Sequence, residues 1–340
     1  MNRTRGTPIL PILPIFCRLA LVSILFAAAC SGQALDAGSD VHGILSVGQR
    51  NPVLLINDNE SDNWQGVYAL LFANSGGPAL ASIIVNASSY WPDINANLSG
   101  WQNLVAAART SGLRNIPDPK ASPGSPLVRP SDGNLDSTAP NGSVGALEIV
   151  RTSARLSLPY RPLVVVTAGP LTDVADAYLI DPTVTDRVVI VSTLGSGSAK
   201  GGSMGAPNGT MDPWADWIVV ERFRYVQVSA YYDQTSDVST SQLANLPQSS
   251  FGNLIAAQQP KLINLVTASD QIGILALGLP TFVTAVENVS LDQSAAFDST
   301  TGPDLVPDAN GRLLLVTNAD STLATGRLWK MLQDPKTFAQ

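Results

Sequence analysis

Val53-Leu-Leu-Ile56 is an unbroken apolar run that gives way to Asn57-Asp-Asn-Glu-Ser-Asp-Asn63, and Ala69 to Ala73 lies in a second apolar run long enough for a helix. A segment apolar at every position suits a strand buried on both faces, the usual condition of a parallel sheet. The stretch therefore reads as strand, acidic turn and helix. In open α/β sheets, ligands bind outside the carboxyl ends of the strands, which is where this turn places Asp58, Glu60 and Asp62. Three carboxylates so close repel one another unless a cation joins them. Two readings follow: a solvated turn with an aspartate capping the helix, and a site for a hard cation.

The chain continues the same alternation. Ala79–Val85 reads as the second strand and leads into Asn86-Ala-Ser-Ser-Tyr-Trp91, with a helix over Leu98–Ser111. Residues 115–143 hold six prolines among Gly, Ser and Asp, a composition that predicts a long surface loop of the kind that forms lids or binding loops. A helix over Val144–Ser157, a strand Pro162–Thr167, a helix opening at Gly169 and a strand Arg187–Ser192 follow. Leu194–Gly209 is rich in Gly and Ser and reads as a mobile loop, and Asp212-Pro213 starts a helix through Phe223, proline being tolerated in a first helical turn. Tyr225–Ser229, Thr281–Val286 and Arg312–Val316 are later strands. With no internal repeat and no second linker, the fold expected is a single α/β domain with a mainly parallel central sheet flanked by helices, spanning residues 49–335.

The amino terminus has another character. Arg3, Arg5 and Arg18 precede Leu19–Ala29, eleven residues of apolar or small type that end at Cys30-Ser-Gly. That is a basic region, a short apolar region and small residues at a cleavage point, and it is too short to span a bilayer comfortably. Residues 1–30 thus read as an export signal ending in a lipobox, with Cys30 as a lipidated amino terminus. Ordinary secretory cleavage is the alternative. Residues 31–48, small and polar, form a tether. The chain has two cysteines, Cys17 and Cys30, so the domain from residue 49 onward contains no disulfide and depends on its core. Removal of residues 1–29 takes three arginines and no acid, which moves the formal charge from −7 to −10. Such a balance disfavours nucleic-acid binding and suits a small-molecule or cation-dependent role.

Four loop motifs, in order, carry a family resemblance: Asp58-Asn-Glu-Ser-Asp62-Asn63, Gly169-Pro-Leu-Thr-Asp173, Asn208-Gly-Thr-Met-Asp212-Pro213 and Ser269-Asp270. Over residues 51–335 the chain resembles the inosine/uridine-preferring nucleoside hydrolases, whose motifs are DTDPGIDD, GPLTN, Asn-x-x-x-Asp-Pro and His-Asp. The GPLT element is the most specific piece. The first turn, taken with Ser88-Ser-Tyr-Trp91, is also similar to a branch of the superfamily with a DPEPDD turn.

The resemblance implies calcium as cofactor and a nucleoside or related glycoside as substrate. It gives Asp58 two roles, calcium ligand and activator of water. Asn63, the Thr172 carbonyl and Asp270 complete the implied metal ligands, and Asp62, Asn86 and Asn208 the sugar-binding set. Ile56 stands in place of the first aspartate, Ala206-Pro207 in place of Glu-Phe, and Ser269 in place of histidine. Hydrolysis of an N-glycosidic bond requires a held sugar, an activated water and a leaving base able to take a proton. The only histidine, His42, lies in the tether. Without a histidine near Ser88, Ser89 or Ser269, a serine hydrolase triad is disfavoured. The Gly195-Ser-Gly197 stretch lacks the spacing of a phosphate loop. Tyr90, Trp91, Trp214 and Trp217 are possible stacking residues, although the helical spacing of the last two favours core. A catalytically weakened nucleoside- or sugar-binding lipoprotein and a carbohydrate-associated hydrolase are the competing functional readings.

Export yields the first prediction. Cys30→Ser should abolish lipid labelling and release the domain from the membrane fraction. A wild-type protein that is secreted but unlabelled would establish ordinary signal cleavage instead.

Overall fold

A computed structural model describes residues 51–59, 70, 79–193, 195, 207–228, 245–258, 283–294, 296–300 and 302–333, all within the unit Val41–Gln340. The signal and tether, Glu60, Asp62, Asn63, Ser269, Asp270 and most of the expected helix after the acidic turn lie outside them. So do residues 194 and 196–206 of the expected Gly- and Ser-rich loop.

The strands are β1 (Pro52–Asn57), β2 (Ala79–Asn86), β3 (Pro119–Ser122), β4 (Leu163–Ala168), β5 (Val188–Thr193), β6 (Arg224–Val228), β7 (Val283–Leu291), β8 (Leu305–Pro307) and β9 (Leu313–Ala319). They form one nine-stranded sheet in the order β3-β2-β1-β4-β5-β6-β9-β7-β8. Pairing is parallel from β3 to β9, and β7 is antiparallel to both β9 and β8. The expected mainly parallel α/β sheet is therefore what the chain forms.

Every residue of β1, β4 and β5 is buried, which is why their sequences are apolar without alternation. Side chains still alternate between two cores. Val53 and Leu55 face one side with Val164 and Val166, under Trp101, Leu104 and Val105 of α1 (Ile94–Thr110). Leu54 and Ile56 face the other with Val165 and Ile190. That second side is covered by α2 (Val144–Leu156), α3 (Thr172–Ile180) and, beyond the short α4 (Val184–Arg187) and α5 (Pro207–Thr210), by α6 (Pro213–Arg222). The helices α7 (Ser250–Gln258) and α8 (Ser321–Gln333) contribute Phe251, Ile255, Met331 and Leu332 to the α1 side.

Several boundaries differ from expectation. The α1 helix starts at Ile94 because the Asp93 carboxylate accepts from the amides of Asn95 and Ala96 at 3.0 and 3.1 Å, an N-cap that sets the first turn. Residues 115–143 are not one structureless loop. They contain β3 and a 3-10 turn at Leu135–Ser137. Proline is tolerated here because β3 is an edge strand and Pro119 is its first residue. The remainder is fastened down: Leu127 N donates to Asp212 Oδ2 at 2.9 Å, and the Arg129 guanidinium lies 5.2 Å from the Trp214 ring and 4.9 Å from that of Phe297. Trp214 is a core residue, as its spacing suggests, and its indole N–H donates to Thr138 Oγ1 at 3.0 Å. Pro207–Thr210, expected within mobile loop, is one helical turn.

Two buried aspartates of α3 bind this region to the sheet. Asp176 accepts from the amides of Asn141, Gly142 and Ser143 at 2.7, 3.2 and 2.7 Å, placing a carboxylate at the start of α2 where the helix dipole favours it. Asp173 accepts from Ser122 Oγ at 2.7 Å, and Ser122 in turn accepts from Gly145 N at 2.9 Å. Gly145 is required by proximity, since a Cβ there would come within 2.4 Å of Asp173 Cγ. Asp173 is fully buried, and its Oδ2 has no hydrogen-bond partner among the described residues. Burial pushes its pKa from 3.8 up to about 6, assisted by the nearby Asp176 and opposed by Ser122 and Ser143.

A raised carboxyl pKa has a definite sign. Between pH ~4 and ~6 the folded chain holds a proton that the unfolded chain has released, so stability falls as pH rises through that window. Above it the cost is on the order of 3 kcal/mol, the free energy of a shift of this size. Asp173→Asn should therefore be more stable than wild type at pH 7 and about equal to it at pH 4, as read by denaturant unfolding. Equal destabilisation at both values would show that the carboxyl is not carrying that cost.

Candidate functional site

The strand order reverses direction between β1 and β4: from β1 the chain steps to β2 and β3 on one side, then returns to place β4 on the other. At such a switch point the loops leave in opposite directions and open a crevice at the carboxyl ends of the strands. Register decides which residues stand there. Asn57 pairs with Val85 of β2 and Ala168 of β4, and Asn86 pairs with Ser122. Asp58, Asn86 and Gly169 thus leave the sheet at the same level on three adjacent strands. Thr193 and Val228 end β5 and β6 at the matching height.

Asp58 is 3% exposed, and its Oδ1 accepts from Asn59 N at 2.9 Å. Asn86 is 5% exposed; its Nδ2 donates to Pro170 O at 3.4 Å, while its Oδ1 has no partner among the described residues. A buried amide oxygen without a donor carries a desolvation cost, which a ligand hydroxyl would relieve. The Gly169-Pro-Leu-Thr motif opens α3 three residues later than expected, at Thr172, because Gly169 to Leu171 make the turn off β4. Glycine is needed first in that motif, since a Cβ on Gly169 would lie 2.7 Å from Asn86 Oδ1.

Thr172 is buried, and its Oγ1 donates to Asp212 Oδ2 at 2.7 Å. Asp212 also accepts from Ala215 N through Oδ1 at 3.1 Å, which makes it the N-cap of α6. Burial raises its pKa, against the lowering effect of Thr172, Leu127 and Ala215. Asn208 is buried at the end of β5, where its Nδ2 donates to Thr193 O at 2.7 Å. Of the residues singled out in the sequence, Asp58, Asn86, Thr172 and Asn208 thus line up along one edge of the sheet. Asp62, Asn63 and Asp270 lie outside the described residues. Ile56, at the position of the first aspartate of the motif this chain resembles, is 0% exposed and packs in the core on the side of Leu54 and Val165.

The donor set is oxygen only: the Asp58 carboxylate, the Asn86 and Asn208 amides and the backbone and hydroxyl of Thr172. That chemistry suits a hard cation and sugar hydroxyls. Among the described residues no three Asp, Glu, His or Cys side chains gather around one point, so the part of the site seen here supplies an incomplete cation set.

Sequence reasoning missed the residues that hold this edge. Trp101 Nε1 donates to Asn57 Oδ1 at 3.3 Å, and Asn59 Nδ2 donates to Asn97 Oδ1 at 3.3 Å. The signal was available: Pro92-Asp93 is a helix-start sequence, and once the helix begins there Asn97 and Trp101 fall four apart on one face.

No protein-family model matches this chain, nor does any curated protein. Solved structures do. An inosine-guanosine nucleoside hydrolase superposes with a TM-score of 0.62 at 18% identity, covering 83% of this chain and 99% of its own. The inosine-uridine preferring nucleoside hydrolase from Bacillus anthracis gives a TM-score of 0.58 at 14% identity over 82% and 99% of the two chains. The purine-preferring ribonucleoside hydrolase from Gardnerella vaginalis gives 0.57 at 15% identity over 85% and 99%. Superposition over nearly the whole length of those structures gives this chain the nucleoside hydrolase fold.

Proposed function

We propose that the protein is an exported hydrolase of N-glycosidic bonds in ribonucleosides or closely related glycosides. The observation that carries this reading is the common level at which Asp58, Asn86 and the Gly169-Pro-Leu-Thr motif leave the sheet beside the switch point. Asp58, the one acidic residue among these, takes the proton of the attacking water. Asn86 offers a sugar hydroxyl an amide oxygen that has no partner among the described residues, and Asn208 and Asp62 belong to the same sugar-holding set. Asp58, Asn63, Asp270 and the Thr172 carbonyl are the residues that would hold calcium. When bound, calcium would orient a sugar diol and acidify a water, the roles a Lewis acid serves in hydrolysis.

The departures from the family motifs weaken the leaving-group side. With serine at position 269 the site lacks a histidine to protonate a departing base, and general acid assistance is typically worth about 10²–10⁴-fold in rate. Turnover of inosine or uridine should accordingly be slow, and a p-nitrophenyl riboside, whose leaving group departs without protonation, should be the better substrate. Asp58→Asn should abolish that turnover yet retain part of the ribose binding, because it removes the base and keeps an oxygen. Ser269→His should raise purine-nucleoside hydrolysis. If the wild type binds ribose or nucleosides and hydrolyses none of these, the protein is a binding protein built on a hydrolase fold.

Calcium is tested separately by calorimetry and thermal unfolding. The expected outcome is a weak site, with affinity in the range of about 10⁻⁴ to 10⁻³ M seen for extracellular calcium modules, lost in Asp58→Ala. Absence of both heat and stabilisation at millimolar calcium would remove the metal from the mechanism.

A further inference from the structure

Asn97, in the first turn of α1, is 2% exposed and bonds in three directions. Its Nδ2 donates to Asn86 O at 3.2 Å and to Trp91 O at 2.9 Å, and its Oδ1 accepts from Asn59 Nδ2 at 3.3 Å. Asn86 reaches onward to Pro170 O. A chain of side-chain amides and main-chain carbonyls therefore runs Asn59, Asn97, Asn86, Pro170 and crosses the loops that follow β1, β2 and β4. One turn further along α1, Trp101 holds Asn57. The two neighbours of Asp58 in sequence are thus both fastened to the same helix.

Helix formation does not explain asparagine at this place. It is a poor helix former in a buried first-turn position, where an aliphatic side chain would pack at no polar cost. What asparagine supplies is a donor and an acceptor on one short, stiff side chain, enough to tie two loops at a fixed distance.

We propose that Asn97 is a positioning residue of the site: it fixes the Asp58 turn relative to the Asn86 loop, so that the water-activating group and the sugar-holding group keep one separation. The assignment of those two roles rests on the function proposed above; the coupling of the two loops does not. Misplacement of a reacting group by about 1 Å is typically worth about 10²-fold in rate, so the effect should be kinetic out of proportion to stability.

The test uses the full chain with Asn97→Ala, Asn59→Ala and the double variant, each assayed well below its own Tm. Two readouts are taken: p-nitrophenyl riboside hydrolysis and backbone amide exchange at residues 57–59 and 86–91. Asn97→Ala should lower kcat by about 10- to 100-fold and speed exchange in both loops together. Asn59→Ala, which leaves the helix intact, should lower kcat with little change in KM and speed exchange in 57–59 alone. The double variant should be no worse than Asn97→Ala. Wild-type kcat in Asn97→Ala, with unchanged exchange at 57–59 and only a lower Tm, would reduce Asn97 to a structural role and overturn the proposal. If the wild type turns over no substrate, the functional reading fails and exchange decides the coupling by itself: a joint rise in both loops sustains it, and a rise confined to 86–91, or none, sinks it.

Discussion

The pairing of β1 between β2 and β4 is the constraint on which the rest of this structure depends. Because β1 is buried on both faces, its four apolar residues Val53–Ile56 supply both cores at once, and its polar residues must wait for the strand to end. Its parallel register with both neighbours then fixes the height at which all three strands become polar. A slip of one residue would exchange the two cores and at the same time take Asp58 out of line with Asn86 and Gly169. Core and site are therefore specified by the same hydrogen bonds.

Beyond the strand ends, the loops are held by buried polar groups whose partners are mostly backbone. Asp212 joins the 115–143 segment, α3 and α6 through Leu127, Thr172 and Ala215. Asp176 gathers three consecutive amides at the start of α2. A carboxylate that accepts several N–H groups replaces the water it lost, so a segment rich in proline and glycine is ordered without a core of its own. That is why residues 115–143 read as open loop in the sequence: nothing within them marks the carboxylates, from 33 to 85 residues away along the chain, that hold them. The prolines say only that the segment cannot donate enough of its own hydrogen bonds.

What was legible in the sequence follows the same division. The apolar runs of β1, β2, β4 and β5 announce themselves because burial on both faces leaves no alternative composition, and the Gly169-Pro-Leu-Thr motif is recognisable because a turn packed against Asn86 admits only glycine at its first position. Asp58 and Thr172 could be picked out with it. Asn97 and Trp101 could be placed on one helix face, but what they and Asp173 hold depends on partners 38, 44 and 51 positions away. The short antiparallel strand β8 and the edge strand β3 were also beyond reach. Three or four residues with proline among them carry too little pattern to be told from a turn.

Asp173 shows where fold and chemistry pull apart. The motif that this chain resembles ends in asparagine, and the structure holds Asp173 in a place built for a neutral group: fully buried, accepting from Ser122, beside the second carboxylate of Asp176 and against the bare backbone of Gly145. A protonated carboxyl has the shape of an amide and one of its donors, so the same packing accepts it with little rearrangement. The two differ in how they respond to solution conditions. An amide there contributes equally at every pH, whereas the carboxyl serves the fold as a neutral group only while it keeps its proton. The substitution leaves the backbone path from β4 into α3 intact and converts a fixed bolt between β3, α2 and α3 into one whose strength declines as pH rises.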